Sequence, residues 1–555
     1  MKQKLIYAVR IPFIVCVILA AALLLRLYHL DKFDLWFDEL GTNFYSFQNI
    51  EILKEYHEAK TSSLMIEKMK NDPHSFLYYI VVYFYSMFFG NGLALRGMSV
   101  IFSMLSLGVF YGLSRLFFDR RASIYALCIM ALSSFQIWYA QEARAYAMAS
   151  FLSLAFIYVI TQALKTDKWC WWALFPLAGF ISVLTNYLSV LLLLASGFAL
   201  IFKEYRQRAG KWLSASCVTF FLVFLFAFIM REQYSFVARD FWLIPPDRLT
   251  LLYTWGVFLV GYTGTLIQYQ ISLVLYFMLF LYGVYSCFRV NKADAVTIFL
   301  YLFFSYVVIY CVSKFFVPIY LNRQLFIFAP FYYLFIAKGI EGIQNKRLRF
   351  IALCCAFGLM VPPLFNYYRG KLFLHPSVPR ANILVGTVPK KNYRSLLEYI
   401  NREFKQGDVF AVADVQAYNI FLEQRNEYHG VPDSISEEKI LFLFYPQQLP
   451  VFSQRYIGMN GRLMDNIPES EGQEVHSLDI SGYDRSKIEK LDFDKKPFKR
   501  LWLLTASWEI DSSAIALHAG EVKRYMMKNY ETVLLKDEDG VYLDLYSFPE
   551  KEKNE

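Results

Sequence analysis

The sequence is poor in charged residues. Only 19% of its 555 residues carry charge, whereas 57% are hydrophobic and 19% are aromatic. A soluble domain has about 25% charged residues, so this balance excludes a disordered chain, a collagen-like chain and an ordinary cytosolic enzyme. The net charge of +9 is small for this length. We therefore expect Lys and Arg to report membrane topology and not a nucleic-acid partner.

Cysteine and phosphate-binding glycine motifs are also scarce. The eight cysteines lie in or beside apolar segments, none follows residue 366, and no two are spaced as C-x-x-C. This pattern argues against a disulfide framework and against a cysteine-ligated metal. The sequence has no glycine-rich phosphate loop, no Walker motif and no dinucleotide fingerprint. A nucleotide substrate is therefore disfavoured.

The sequence is rich in long apolar segments, which lie in its first two thirds. They are about 17–25 residues long, the length that crosses a bilayer. They predict a polytopic α-helical membrane protein with about eleven transmembrane helices. The first predicted span is the apolar run that follows Lys4 and ends at about Leu25. The others are 97–117, 122–142, 146–164, 169–187, 188–202, 212–230, 270–288, 295–313, 324–340 and 349–366.

The segments between the spans alternate in charge. One set is basic and includes Arg115, Arg120, Arg121, Lys165, Lys168, Lys203, Arg289 and Lys346. The other set, 28–95, 231–249 and 314–323, is long, aromatic and poorer in Lys and Arg for its length. The positive-inside rule places the basic set and the N-terminus in the cytoplasm. We expect a multi-pass protein of the cell membrane, inner or plasma, whose N-terminal segment is a retained signal-anchor.

Two apolar stretches do not fit this topology as spans. Counting residues 76–89 as a span would move the following arginines outside, so we expect an interfacial helix on the outer surface. Residues 249–266 raise the same conflict, and a re-entrant or surface helix is expected there.

The composition changes after residue 366, where charge rises and apolar runs shorten. We expect residues 1–366 to form the transmembrane domain, with a large first outer loop at 28–95. With an odd number of spans, residues 367–555 form an extracytoplasmic α/β domain. Its predicted elements are a helix at 393–404, strands at 409–413 and 500–505, a helix at 512–529 and a hairpin at 534–548.

The first outer loop is the richest candidate for chemistry. Asp31, Asp34, Asp38 and Glu39 follow the first span, and Trp36 lies among them. Aromatic residues anchor a segment at the membrane interface, where partial dehydration makes a carboxylate a stronger base. The alternative is a set of solvated acids beside a helix end, which we retain for Asp31 and Asp34. Asp38 and Glu39 are the catalytic candidates.

Two further outer segments carry arginines. Glu142 and Arg144 lie where a charge is costly in a membrane protein, and Arg144 can bind a phosphate through its planar guanidinium. The alternative is a structural Glu142–Arg144 ion pair. Arg323 opens an apolar span, so it either binds phosphate or snorkels to the interface. His74 is structural, or forms a sparse metal or acceptor site with Glu142.

The ordered motifs resemble those of GT-C membrane glycosyltransferases, the relatives of dolichyl-phosphate-mannose protein mannosyltransferases and of the lipid A aminoarabinose transferase. The resemblance covers about residues 1–370. It rests on Trp36-Phe37-Asp38-Glu39, Asp72-Pro73-His74 with Leu77-Tyr78-Tyr79, Leu95-Arg96, Gln141-Glu142-Ala143-Arg144-Ala145-Tyr146, Phe241–Pro246 and Arg323. Three places in the sequence depart from the family pattern. Ser75 and Phe76 stand where two prolines are usual, Asn186 stands where many relatives have histidine, and Gln324 directly after Arg323 stands where an aromatic is usual.

This resemblance implies a transferase that uses a polyprenyl-phosphate sugar. Asp38 would be the general base of a single inverting displacement, supported by Glu39. Arg144, Arg323, Glu142 and Tyr146 would form the lipid-phosphate site. The scheme requires no cofactor, although a divalent cation is compatible with it. The partners would be the membrane, the lipid-linked donor and a lipid, glycan or protein acceptor, with no nucleic acid.

Other functions are compatible with parts of this pattern. A transporter or flippase of a lipid-linked glycan would share the many spans, but it should show two related halves, and no such symmetry is visible. A silent membrane scaffold, or a transferase of an oligosaccharide or a non-sugar group, also remains open. The sequence specifies neither the sugar nor the acceptor.

Overall fold

The computed structural model describes residues 2–43, 45–47, 76–229, 245–370, 394–403, 405, 408–412, 440–442, 499–506, 527–528, 530–538 and 541–547. These residues belong to two compact units, and each is described by itself. The first unit holds residues up to Leu30, residues 45–47 and the helices between Phe76 and Tyr368. The second unit holds Asp31–Asn43 and the C-terminal elements.

The described part of the first unit is helical. Its helices are α1 Lys2–Leu27, α3 Phe76–Phe89, α4 Leu95–Phe117, α5 Arg120–Leu132, α6 Ser134–Ala140, α7 Tyr146–Thr166, α8 Trp169–Thr185, α9 Ser189–Gly197, α10 Lys203–Arg206, α11 Ala209–Ile229, α12 Arg248–Val260, α13 Leu266–Val290, α14 Lys292–Phe315, α15 Ala329–Gly342 and α16 Lys346–Tyr368. Helix α2, Phe37–Asn43, belongs to the second unit.

The chain is a multi-pass membrane protein, but the predicted count of eleven spans is not confirmed. Within the described ranges, six helices are long and apolar enough to cross a bilayer, or seven if α5 and α6 form one broken span. The apolar run at 122–142 is not one straight helix, because α5 and α6 meet at a bend of 58°. The run at 324–340 begins with a 3-10 turn, Gln324–Ile327, before the 14 residues of α15.

The bend between α5 and α6 is stabilised by polar side chains. A helix break in an apolar region exposes backbone groups that need partners. The Ser133 hydroxyl accepts the Gln136 backbone N–H at 3.3 Å as the N-cap of α6, and it lies 2.8 Å from the Phe258 carbonyl oxygen. The buried Arg26 guanidinium donates to the Ala131 carbonyl oxygen at the end of α5, at 3.1 Å. These bonds fix the direction in which α6 leaves the bend.

Helices α13 and α15 approach each other at two glycines. A Cβ atom on Gly283 would clash with the backbone carbonyl of Phe335, and one on Gly339 would clash with that of Leu279. Small residues allow such close helix contacts in membrane proteins, where van der Waals packing drives association. The two glycines therefore allow the backbones of α13 and α15 to pack directly against each other.

The two stretches that conflicted with the topology both contain helices too short to be spans. Helix α3 has 14 residues and buries Tyr78, Tyr79 and Val82. Helix α12 has 13 residues and ends at Gly261, whose φ of +62° favours glycine. Their depth in the membrane remains a prediction.

The second unit contains helix α17 (Arg394–Glu403) and a five-stranded sheet. The strands are β1 Asp408–Val412, β2 Ile440–Phe442, β3 Arg500–Ala506, β4 Glu531–Glu538 and β5 Val541–Ser547, in the order β2-β1-β3-β5-β4. Strand β1 pairs in parallel with β2 and β3, whereas β5 pairs antiparallel with β3 and β4. The α17 helix, strands β1 and β3 and the β4–β5 hairpin match the elements expected from the sequence. The expected helix at 512–529 lies almost wholly outside the described residues.

Candidate active site

Glu142 and Arg144 lie in a turn that follows α6, and both side chains are buried. The exposed fraction is 1% for Glu142 and 4% for Arg144. The Trp138 indole N–H donates to a Glu142 carboxylate oxygen at 2.9 Å. The Ser99 hydroxyl and the Arg144 backbone N–H donate to the Glu142 carbonyl oxygen at 2.6 and 2.8 Å. Burial of two charges in one turn is costly, so this turn is a functional candidate.

Gln141 holds the same turn against two other helices. Its side-chain amide N–H groups donate to the carbonyl oxygens of Arg26 and Tyr28, both at 2.8 Å. Its amide oxygen accepts the Tyr367 hydroxyl at 2.7 Å. The two carbonyl partners fix the orientation of the amide, because carbonyls only accept hydrogen bonds. Gln141 therefore connects the ends of α1 and α16 to the turn.

The turn that carries Arg144 and the loop that carries Arg323 meet at Tyr139. The Tyr139 ring lies 4.7 Å from the Tyr146 ring and 5.0 Å from the Phe326 ring, measured between centroids. Arg323 is half-buried and is the N-cap of the 3-10 turn that contains Phe326. The structure thus brings the sequence-predicted residues 142–146 and the Arg323 segment onto one aromatic cluster.

Asp38 and Glu39 lie in the first turn of α2. Asp38 is partly exposed and Glu39 is fully buried. A Glu39 carboxylate oxygen accepts the Trp36 backbone N–H at 3.3 Å, which is half of a capping box. Glu39 therefore stabilises the helix start that presents Asp38. Both residues belong to the second unit, so their convergence with Arg144 and Arg323 stays a prediction.

The proposed metal or acceptor role of His74 falls outside the described residues, as does most of Phe241–Pro246. Among residues that the structure describes, no group of three or more His, Cys, Asp or Glu side chains is placed to hold a metal ion. A cation role for Glu142 with His74 therefore stays a prediction.

Sequence reasoning missed three residues that shape the turn. The motifs assign no role to Trp138, Gln141 or Arg26. Arg26 is fully buried and also donates to the Ser103 hydroxyl at 2.8 Å. Its charge within a few residues of an apolar span was the available signal.

Comparison with solved structures identifies the fold. The chain resembles ArnT from Cupriavidus metallidurans in the apo state, with a TM-score of 0.50 and 10% identity over 96% of this chain and 97% of that chain. ArnT bound to undecaprenyl phosphate gives a TM-score of 0.47 at 11% identity, covering 96% and 97%. The Archaeoglobus fulgidus oligosaccharyltransferase tethered to an acceptor peptide gives 0.46 at 11%, covering 98% and 75%.

The protein thus has the GT-C fold of membrane glycosyltransferases, which confirms the resemblance read from its motifs. Residues 73–230 match the family model of dolichyl-phosphate-mannose-protein mannosyltransferase. That range contains Glu142, Arg144 and Tyr146. A comparison with curated protein sequences finds no match.

Proposed function

We propose that the protein transfers a sugar from a polyprenyl-phosphate donor to an acceptor on the extracytoplasmic face of the membrane. The observation that carries the proposal is the turn that buries Glu142 and Arg144 within the range matching the mannosyltransferase family. That family is named for a lipid-phosphate sugar donor. A buried guanidinium suits a phosphate, because it supplies several donors in a plane and stays charged.

In the proposed reaction Asp38 removes the proton from an acceptor hydroxyl or amine. The acceptor then attacks the anomeric carbon and forms the new bond. The bond between that carbon and the phosphate oxygen breaks, and the bonding electrons leave with polyprenyl phosphate. A single displacement of this kind inverts the anomeric configuration.

The arginines act on the leaving group. Arg144 and Arg323 stabilise the negative charge that grows on the phosphate as it departs, which is usually the largest contribution to catalysis. Glu142, held by Trp138, keeps the turn in the geometry that presents Arg144. Tyr146 completes the wall of the phosphate site beside Tyr139. Glu39 holds the start of the helix that carries Asp38.

A divalent cation is not needed in this scheme, because two arginines can neutralise the phosphate. If one binds, Glu142 and His74 are its proposed ligands, and it would add a Lewis acid at the phosphate. A chelator that leaves turnover unchanged supports the arginine scheme, whereas metal-dependent turnover supports the cation site.

The proposal is tested with purified protein in lipid nanodiscs and a panel of undecaprenyl- and dolichyl-phosphate sugars. We expect one donor to be consumed and free polyprenyl phosphate to appear in equal amount to the glycosylated acceptor. A transporter would instead move the intact donor across proteoliposomes and release no polyprenyl phosphate. That outcome would contradict the proposed transferase activity and support a transport function.

A further inference from the structure

The loop before Arg323 is fixed by one hydroxyl on a neighbouring helix. Thr254 lies on α12 and is fully buried. Its Oγ1 atom lies 2.7 Å from the Asn322 side-chain oxygen and 2.8 Å from the Tyr320 hydroxyl. Asn322 and Tyr320 are themselves buried, with 7% and 4% of their surface exposed. The hydroxyl therefore connects two residues of the loop to a helix that is distant in sequence.

The Thr254 hydroxyl lies within hydrogen-bond distance of three groups, so it joins them in one network. Oγ1 also lies 2.8 Å from the Thr250 carbonyl oxygen within α12. A threonine hydroxyl donates one hydrogen bond and accepts up to two, and a phenol can donate to it. Tyr320 supplies that donor, and Thr254 donates to one of the two oxygens. If the Asn322 side-chain amide is flipped, its N–H group donates to the Thr254 hydroxyl instead, and the two residues stay hydrogen-bonded.

The position of Asn322 determines where the backbone of Arg323 lies. Asn322 is the residue directly before Arg323, and its carbonyl oxygen accepts the Leu325 backbone N–H at 3.1 Å at the start of the 3-10 turn. The side chain of Asn322 is thus held by α12 and its carbonyl by the 3-10 turn, which fixes the residue directly before Arg323. Tyr320 is braced in turn by the Tyr306 ring, whose centroid lies 5.9 Å away.

We infer that Thr254 is a positioning residue for Arg323 and that its hydroxyl aligns this arginine with the phosphate of the lipid-linked substrate. The inference rests on the proposed function, in which Arg323 contacts that phosphate. Without the hydroxyl, the buried Asn322 side chain loses its hydrogen bond to α12, and the segment before Arg323 is held less firmly. A displacement of about 1 Å at a group that contacts the reacting substrate can cost 10²-fold in rate.

The test uses two matched variants and a direct binding measurement. Thr254→Val keeps the shape of the side chain and removes the hydroxyl, whereas Thr254→Ser keeps the hydroxyl. The dissociation constant of undecaprenyl phosphate is measured for each in detergent, with unfolding temperatures as a check on folding. We expect Thr254→Val to weaken binding about tenfold, the equivalent of one lost hydrogen bond, and Thr254→Ser to restore it to within about twofold.

A double-mutant cycle separates positioning from general destabilisation. If Thr254 acts through Arg323, adding Thr254→Val to Arg323→Ala weakens binding by no more than about twofold further. A full tenfold further loss in that background would overturn the inference, as would unchanged binding in Thr254→Val alone. If Thr254→Val does not fold, Asn322→Leu removes the partner instead, and wild-type affinity in that variant contradicts the inference.

The same data distinguish this inference from the proposed function. If Arg323→Ala binds undecaprenyl phosphate as well as the wild type does, the phosphate role of Arg323 fails and the inference falls with it. If Arg323→Ala binds weakly and Thr254→Val binds normally, the phosphate role stands and only the positioning role of Thr254 is wrong.

Discussion

The Trp138 indole N–H donates a hydrogen bond to the Glu142 carboxylate four residues later, at 2.9 Å. This bond spans the point where α6 ends and the turn that carries Arg144 begins. Trp138 also packs its ring against Tyr262 and Tyr367, with centroid distances of 5.4 and 5.2 Å. These two ring contacts hold the indole in place, so its N–H points in one direction. Trp138, near the end of α6, thus sets the orientation of the buried Glu142 carboxylate.

Replacing Trp138 by phenylalanine should lower sugar transfer. The ring packing is largely kept, whereas the donor to Glu142 is lost. A hydrogen bond to a charged group contributes about 1.5–3 kcal/mol, so we expect turnover to fall by at least about tenfold. The measurement is product formation at saturating donor. Turnover equal to the wild type in the folded variant would show that this bond has no catalytic role.

The hydrogen bonds of the Gln141 amide predict that two variants lose stability to different degrees. Gln141→Met keeps the length of the side chain but removes both N–H donors and the acceptor, whereas Tyr367→Phe removes one hydroxyl. We expect Gln141→Met to lower the unfolding temperature more than Tyr367→Phe does, because it removes three hydrogen bonds, two of them buried, whereas Tyr367→Phe removes one. Thermal unfolding in the same detergent ranks the two. The reverse order would contradict the assigned bonds.

Arg26 should matter for folding rather than for the chemical step. Its guanidinium satisfies the Ala131 carbonyl oxygen at the end of α5 and the Ser103 hydroxyl. Arg26→Met removes those donors, and each buried group left unsatisfied costs about 1–3 kcal/mol. We expect a clear loss of stability, measured by the unfolding temperature. A variant as stable as the wild type would show that the bend does not depend on Arg26.

An ion pair in the loop after α7 should make stability depend on pH. Asp167 accepts hydrogen bonds from Lys211 at 2.9 Å and from the Trp172 indole at 2.8 Å, and these bonds lower the pKa of its carboxyl group. A lowered pKa in the folded state contributes stability above the unfolded pKa, and that contribution is lost as the pH falls below about 4.

Asp167→Asn is the matched control, because asparagine tolerates the left-handed backbone found there and keeps an acceptor. Unfolding temperatures of the two proteins should differ at pH 6 and converge toward pH 3. The effect should be small, since the site is exposed. A difference that grows as the pH falls would have the wrong sign for this ion pair.

The sequence could predict the helical membrane architecture because apolar length and basic loops act locally. It could not reveal the bend at Ser133, since residues 122–142 read as one apolar run. The bend depends on Arg26 and on the Phe258 carbonyl, which come from distant parts of the chain. Ser133 with Gln136 three residues later is a helix-start signal that the apolar run concealed.

The candidate site was predictable as residue types but not as an arrangement. The motifs predict Glu142, Arg144 and Arg323 as site residues, because charges placed beside apolar spans are costly and therefore informative. The residues that hold these charged side chains in place could not be predicted in the same way. Gln141 and Thr254 are uncharged, and their roles depend on tertiary partners that no local pattern reports.

The role of Asp38 as the general base is tested by comparing the Asp38→Asn variant with the wild type. Asparagine keeps the size of the side chain but cannot remove the proton from the attacking hydroxyl or amine. We expect turnover to fall by about 10²–10⁴-fold, the usual contribution of general base catalysis, while undecaprenyl phosphate binding stays within about twofold. Near-normal turnover in the folded variant would contradict this expectation and remove Asp38 as the base.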